Sequence, residues 1–426
     1  NASLKDADFS ENNFTLLKQR GANIDKTSLV VVAGGYQEKP ISESQPEQYT
    51  NAIKDFDEAI RLNPNNFIVF YDRGLAKNGL GRYGEALPDF DEATRLNPNF
   101  YLATYYRGVA KKNLDRKEEA IQDFNEVLCF DPNFAVVLYQ RAIAKDNLNR
   151  EEEALIDYDE AIRLNPVHPH YFQNRGNVKN YLRRYEEAIA DYDKALYLNK
   201  YSFGAGNFNS RGNAKRGLGQ NEEAIKDYDE AISKDRKNAS FFNNRGLAKY
   251  NLDRYEEALV DFNEAIRLDH KKDNYFNNRG YVKCNLIRHE ESMVDFDEAI
   301  RLSPKNATYF EKRGNVKRDL GCYEEAIKDY DEAIRLDKKN TIYFQSRGNA
   351  KNCLSRYTEA IIDYDEAIKI KPEEAIYLKD KAFCFLFQQN LGAGEEFFDK
   401  VLKLKSTDEA TLRMQKYSTV GVHFIE

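Results

Sequence analysis

Long apolar runs are missing from this sequence, so no stretch of it is suited to cross a membrane as a helix, and membrane insertion is not expected. Neither sign of charge dominates. The 64 Lys and Arg against 71 Asp and Glu leave −7, a balance that favours solubility and offers no sequence-independent pull on nucleic acid or anionic lipid. Cysteine is scarce: Cys129, Cys284, Cys322, Cys353 and Cys384 share no recurring spacing, which excludes a disulfide or zinc framework, and their odd number favours a reducing compartment. Histidine is scarcer in effect. His168 and His170 flank Pro169, while His270, His289 and His423 stand alone, without companions at metal-ligand spacing. Phosphate loops, nucleophile elbows and dinucleotide fingerprints are absent too. The expectation is therefore no catalytic residue, no metal, no cofactor and no enzyme activity. The chain begins Asn1-Ala2-Ser3 without an initiator Met, which leaves room for an upstream targeting segment; a cytoplasmic location is the expectation.

What is present is one unit, many times over. Residues 239–272, ASFFNNRGLAKYNLDRYEEALVDFNEAIRLDHKK, are followed by near copies at 273–306 and 307–340, a period of 34 residues. Self-similarity at that period marks stacked two-helix units without a single closed core. A small residue in the first helix fixes the register: Gly74, Gly108, Ala142, Gly176, Gly212, Gly246, Gly280, Gly314, Gly348 and Ala382. It divides the chain into 67–100, 101–134, 135–168, 169–204, 205–238, 239–272, 273–306, 307–340, 341–374 and 375–408. The interval from Gly176 to Gly212 is 36 residues, with the extra two in the Gly-rich bend at Lys200–Gly206, where the stacking should change.

Residues 1–66 hold an irregular first repeat. Phe14–Gly21 resembles the later first helices, Glu47–Leu62 resembles the second, and an insertion at 28–46 separates them, either as a loop or with Leu29–Ala33 folded back into a groove. Pro88 lies past the first turn of its helix and is expected to kink it. At the other end, 409–417 has the character of a capping helix, and 418–426 is a tail of open role.

Phe70, Gly74, Ala86, Phe90, Ala93 and Pro98 match the pattern of the tetratricopeptide repeat family, and the likeness extends over about nine-tenths of the chain. The resemblance implies an all-α, right-handed α-solenoid of helix-turn-helix repeats. Two departures recur. Where the family commonly has Leu, this chain has Arg73, Arg107, Arg141, Arg175, Arg211, Arg245, Arg279, Arg313 and Arg347, with Asp89 through Asp363 sixteen residues after each. Since a buried charge is costly unless paired, the register predicts an Arg–Asp bridge within every repeat, against the alternative of a ladder for anionic ligands. The second departure is a lysine three residues past the marker, Lys77 through Lys351. It either leans toward the acidic second helices or forms a polyanion site.

In the family the first helices line the concave face. Carried over by position, Ile68, Tyr71, Leu75, Leu102, Tyr105, Val109, Val136 and Tyr139 form an apolar wall, and Ile143 joins them. Asn174, Asn177, Asn213, Asn243, Asn244, Asn277, Asn278, Asn315 and Asn349 form an amide row beyond it. Amides both donate and accept, so such a row suits an extended peptide backbone. The row resembles the asparagine ladder of the tetratricopeptide segment of O-GlcNAc transferase, with Asn174, Asn244 and Asn278 matching and Ser210, Lys312 and Ser346 interrupting. The carboxylate clamp of chaperone-binding members is not satisfied, since Phe383 stands where Asn is required after Lys379. The expected function is a non-enzymatic scaffold holding an extended peptide or protein segment in the groove, with Tyr71, Tyr105 and Tyr139 as anchors. Such a protein is a monomer or weak homo-oligomer. The alternatives are a structural assembly protein that self-associates through its last repeat and tail, and the regulatory segment of a larger enzyme.

Overall fold

The computed structural model describes residues 46–198 and 204–404. The first half of the split repeat, the insertion up to residue 45, the first part of the Gly-rich bend, the expected capping helix and the tail lie outside the described residues. The described chain is helical throughout and contains no strand. It divides into two compact units between Phe203 and Gly204, inside the bend where the sequence carries its two extra residues.

The first unit contains α1 (Pro46–Leu62), α2 (Phe67–Gly79), α3 (Tyr83–Leu96), α4 (Tyr101–Asn113), α5 (Lys117–Phe130), α6 (Ala135–Asp146), α7 (Glu151–Leu164), α8 (Pro169–Tyr181) and α9 (Tyr185–Leu198). The second contains α10 (Ala205–Gly217), α11 (Asn221–Lys234), α12 (Ala239–Tyr250), α13 (Tyr255–Leu268), α14 (Asp273–Asn285), α15 (His289–Leu302), α16 (Ala307–Asp319), α17 (Tyr323–Leu336), α18 (Thr341–Cys353), α19 (Tyr357–Ile370), α20 (Ala375–Phe387) and α21 (Leu391–Leu404). Local chemistry sets these limits. Asn66, Asn238, Asn306 and Asn340 cap first helices by accepting from the backbone N–H two residues on. Second helices other than α21 carry Glu in their first turn and commonly Arg in their last, which suits the helix dipole. Each first helix ends in a left-handed residue, such as Gly81, Asp115, Asn149, Asp253 or Gly321, and the next N–H reaches back to close the turn, as from Arg82 to the Lys77 carbonyl at 2.9 Å. Ile287 adopts the same conformation at φ 59°, a strained choice for a β-branched side chain. α3 continues as one helix through Pro88, whose side chain is exposed.

Packing within a pair turns on the marker glycine. A Cβ added at Gly246 would meet the Phe262 ring at 2.9 Å, and one at Gly212 the Tyr228 ring at 2.7 Å, so the bare backbone lets the aromatic of the second helix lie flat against the first. Those aromatics, together with Ala258 and Ala265 in 239–272 and their equivalents, form a core that repeats from pair to pair.

The Arg–Asp bridge is present in all nine repeats where it is expected. Arginine Nη2 and aspartate Oδ1 lie 2.5–2.7 Å apart from Arg73–Asp89 to Arg347–Asp363. The recurring lysine takes the other carboxylate oxygen, at 2.7–3.0 Å. Neither cation series is therefore a ligand ladder; both are spent on one buried carboxylate per repeat. Asp261, 1% exposed, receives Arg245 Nε and Nη2 and Lys249 Nζ, so its charge is fully paired. Burial works against the Arg245 charge, but Asp261 and Asp229 outweigh it and hold the guanidinium above its ordinary range. The Arg245–Asp229 contact reaches the preceding repeat, at 2.6 Å. Equivalent links join Arg73 to Asp57, Arg175 to Asp159, Arg313 to Asp297 and Arg347 to Asp331 at 2.6–2.7 Å, and Asn125 and Asn263 serve Arg141 and Arg279 in the same way. Within each unit, such a guanidinium thus closes its own pair and ties that pair to the one before. The final pair differs. Lys381 replaces the arginine, reaches back to Asp365 at 2.6 Å, and lies 4.3 Å from the Phe397 ring centroid, where the other repeats have aspartate.

Candidate functional site

The two stretches of groove singled out in the sequence have different fates. In the first unit the expected apolar anchors are largely internal. Tyr105 and Tyr139 are 5% and 3% exposed and Val109 is buried, whereas Tyr71, Ile68, Leu75, Leu102, Val136 and Ile143 keep part of their surface open. The Tyr71 ring contacts Phe100 at 4.9 Å and Tyr106 at 5.8 Å; Tyr105 contacts Tyr106 at 4.8 Å, and Tyr139 contacts Tyr171 at 4.6 Å. Tyr71 and Tyr139 reach toward the next first helix, and Tyr105 and Tyr139, being buried, offer a ligand little surface.

The asparagines divide into two sets with separate tasks. One set links successive first helices. Asn174 Nδ2 donates to the Tyr139 hydroxyl at 2.8 Å, Asn244 to Asn209 Oδ1 at 2.8 Å, and Asn278 to Asn243 Oδ1 at 2.9 Å. Asn243 and Asn277 in turn donate to Asn244 and Asn278 beside them at 3.3 Å. In the second unit this gives a run of amides from α10 through α12 to α14. It stops at Asn277, whose buried Oδ1 has no partner. Lys312 stands where the next donor amide belongs, and its ammonium lies instead 3.3 Å from Glu311 and 5.5 Å from the Tyr281 ring centroid.

The other set caps buried tyrosines. Asn177, Asn213, Asn315 and Asn349 accept from the hydroxyls of Tyr192, Tyr228, Tyr330 and Tyr364 at 2.7–2.8 Å. All four tyrosines have essentially no exposed surface, and a hydroxyl buried without a partner would be costly. Burial pushes the Tyr228 hydroxyl up to about 12. Where the second helix has Phe90, Phe124, Phe262 or Phe296 instead, the first-helix partner is Leu75, Val109, Leu247 or Tyr281. Ile143 opposite Tyr158 is the exception. This alternation is written in the sequence, and comparing the repeats at those two positions would have revealed it.

Capping fixes the amide. With Oδ1 committed to a tyrosine, Nδ2 of Asn177, Asn213 and Asn349 makes no hydrogen bond within the described residues and is not buried, so it points an N–H donor outward; Asn315 Nδ2 is taken by Glu311. Between the donors of Asn213 and Asn349 lies an aromatic pair on α12 and α14. Tyr250 and Tyr281 have ring centroids 5.6 Å apart, and Tyr281 is 42% exposed. Burial first, and Tyr281 next, push the Tyr250 hydroxyl up to about 12, so it stays protonated at physiological pH. The face joins fixed donors to an exposed aromatic shelf, a combination suited to a chain with carbonyls and apolar side chains. It holds no cluster of metal-ligating side chains among the described residues, and no described helix is long and apolar enough to span a membrane.

Profiles described as TPR repeat and tetratricopeptide repeat match residues 71–133, 135–168, 169–201, 212–253, 239–272 and 314–351, together more than half of the chain. No curated relative matches it. Among solved structures it is similar to yeast Tom70, at 16% identity over 88% of this chain and 92% of that one, with a TM-score of 0.44. It is also similar to a tetratricopeptide repeat protein from Parabacteroides merdae (19% identity, 59% and 98% covered, TM-score 0.47) and to YrrB, titled a TPR protein with an unusual peptide-binding site (19%, 44% and 97%, 0.38). The matched profiles include the marker glycines Gly74, Gly108, Gly176, Gly212, Gly246, Gly314 and Gly348 and the capped Tyr192, Tyr228 and Tyr330, and the chain belongs to the tetratricopeptide repeat family.

Proposed function

We propose that this protein is a non-enzymatic scaffold that holds an extended protein segment against the first helices of its second unit. The observation that carries this reading is the pair of outward amide donors, Asn213 and Asn349, held by Tyr228 and Tyr364 on either side of the exposed Tyr281. A donor fixed in advance loses little freedom when it meets a backbone carbonyl, and Tyr281 with Tyr250 offers a surface for an apolar or aromatic side chain. Family membership supports a protein-interaction role in general; the choice of face is ours.

The test uses substitutions that spare the fold. Asn213→Asp and Asn349→Asp keep an oxygen for the tyrosine hydroxyl while removing the outward N–H, and Tyr281→Ala trims an exposed ring. Peptides selected from a random displayed library on the wild-type chain should lose at least about tenfold in affinity for the triple variant, equivalent to about 1.4 kcal/mol. Equal binding by both proteins, with unchanged helical circular dichroism, rules this face out.

A further inference from the structure

Four turns of the second unit, each joining a second helix to the next first helix, lie at the same end of their helix pairs. Arg236 and Lys237 stand in the first of them, Lys271 and Lys272 in the second, Lys305 in the third, and Lys338 and Lys339 in the fourth. All seven are exposed, and none makes an ion pair among the described residues. The corresponding turns of the first unit, 63–66, 97–100, 131–134 and 165–168, contain no lysine or arginine.

The surplus is even along the edge. Asp235, Asp269 and Asp337 share three of the turns, where each Oδ1 accepts a backbone N–H, from Lys237, Lys271 and Lys339, at 3.0 Å. Two cations against one aspartate in those turns, and Lys305 alone in the third, leave one net positive charge per repeat. Beside the second, third and fourth turns, Glu264, Glu298 and Glu332 are each held by the arginine three residues on, so they do not cancel it. Packed helices stand roughly 8–10 Å apart, a distance an extended chain covers in about three residues.

The third turn also opens a cleft. One repeat earlier, Asp273 at the start of α14 accepts from the Tyr309 hydroxyl at 2.9 Å. Burial works against the Asp273 charge, but Ser303, Tyr309 and the backbone N–H groups of Asn274 and Asp273 outweigh it and hold the carboxyl below its ordinary range. At the third turn Ala307 stands in the place of Asp273, and Tyr343 in the place of Tyr309. There a cleft of about 770 Å³ is lined by Lys305, Ala307, Thr308, Leu336, Asp337 and Tyr343. Tyr343 is 4% exposed, and its hydroxyl, which is not enclosed, makes no hydrogen bond among the described residues. Asn306 caps the Thr308 N–H, while the Ala307 N–H is left without a partner. Asp337 stands in the place of Ser303 with Oδ1 engaged by Lys339, and Lys305 supplies a cation.

We propose that the edge formed by these four turns binds an acidic protein segment with a carboxylate at about every third residue, one of which enters the cleft and accepts from Tyr343 and the Ala307 N–H. That carboxylate takes the place Asp273 fills one repeat earlier. Double-stranded nucleic acid carries one charge per about 1.7 Å, several for each cation this edge offers, and matches it less well. The edge is separate from Asn213, Asn349 and Tyr281, so variants of the two surfaces report independently.

Fluorescence anisotropy of the full chain with a labelled peptide of four Glu-Ser-Gly repeats tests this. Lys237→Glu, Lys271→Glu, Lys305→Glu and Lys338→Glu together should weaken binding at least about tenfold, and Tyr343→Phe alone about threefold, with unchanged helical circular dichroism. The same residues rearranged with all four glutamates in one block should bind the wild-type chain more weakly than the spaced peptide. Equal binding by the quadruple variant and the wild type, or of the spaced and blocked peptides, overturns the proposal. Unchanged affinity in Tyr343→Phe overturns the seat in the cleft. Tighter binding of a double-stranded oligonucleotide than of the spaced peptide overturns the choice of partner and assigns the edge to nucleic acid.

Discussion

The first helices of the two units are alike in length, spacing and marker residue, yet one set turns its large side chains inward and the other leaves polar groups pointing out. Tyr105 and Tyr139 fill the gap between neighbouring pairs with rings, whereas Asn209, Asn243 and Asn244 fill the equivalent gap with hydrogen-bonded amides. On the amide-bearing helices Tyr281 and the donor of Asn213 remain accessible. The comparison teaches that position in the repeat does not decide whether a residue faces a ligand. Side-chain size at the neighbouring position does.

The sharpest break of that comparison is between two tyrosines. Tyr139→Ala should cost about 3–5 kcal/mol, through lost packing and a stranded Asn174 amide, while Tyr281→Ala should stay within about 0.5 kcal/mol. Urea unfolding of the two variants checks this, and similar losses would erase the distinction. Next in size is the capped pair of 205–238. Asn213→Leu strands the Tyr228 hydroxyl and should cost about 1–3 kcal/mol, whereas Asn213→Leu with Tyr228→Phe recreates the Leu247–Phe262 arrangement and should recover most of it. A double-mutant cycle measures the coupling. Smallest is a gain: Lys312→Asn supplies the donor that Asn277 Oδ1 lacks, extends the amide run into α16, and should raise the unfolding midpoint by the equivalent of about 1 kcal/mol.

Much of the fold was legible because it is repeated. A 34-residue period with Arg and Asp sixteen apart leaves few alternatives to a paired charge within each helix pair, and the bridge from Arg245 to Asp261 follows from that spacing. The tie to the preceding repeat was missed, although its signal was the second acid of each Asp-x-Asp, as in Asp89 and Asp91 or Asp295 and Asp297. The candidate face was less legible. Position in the first helix placed Tyr105, Tyr139 and Asn213 on one surface, but their burial depends on neighbours one repeat away in space, which a face count leaves out. The strained turn at Ile287 had no warning either, since nine other repeats use Gly, Asp, Asn, Arg, Ser or Gln there without penalty to the pattern.

The shared guanidinium bears on how such a chain can grow. Apart from Arg211, each of these arginines finds one acceptor sixteen residues ahead and another sixteen residues behind, as Arg245 does with Asp261 and Asp229. Copying one whole repeat reproduces both distances at each new boundary, so the duplicated protein has every charge matched from the first generation. The chemistry that holds neighbouring pairs together therefore favours growth by whole repeats.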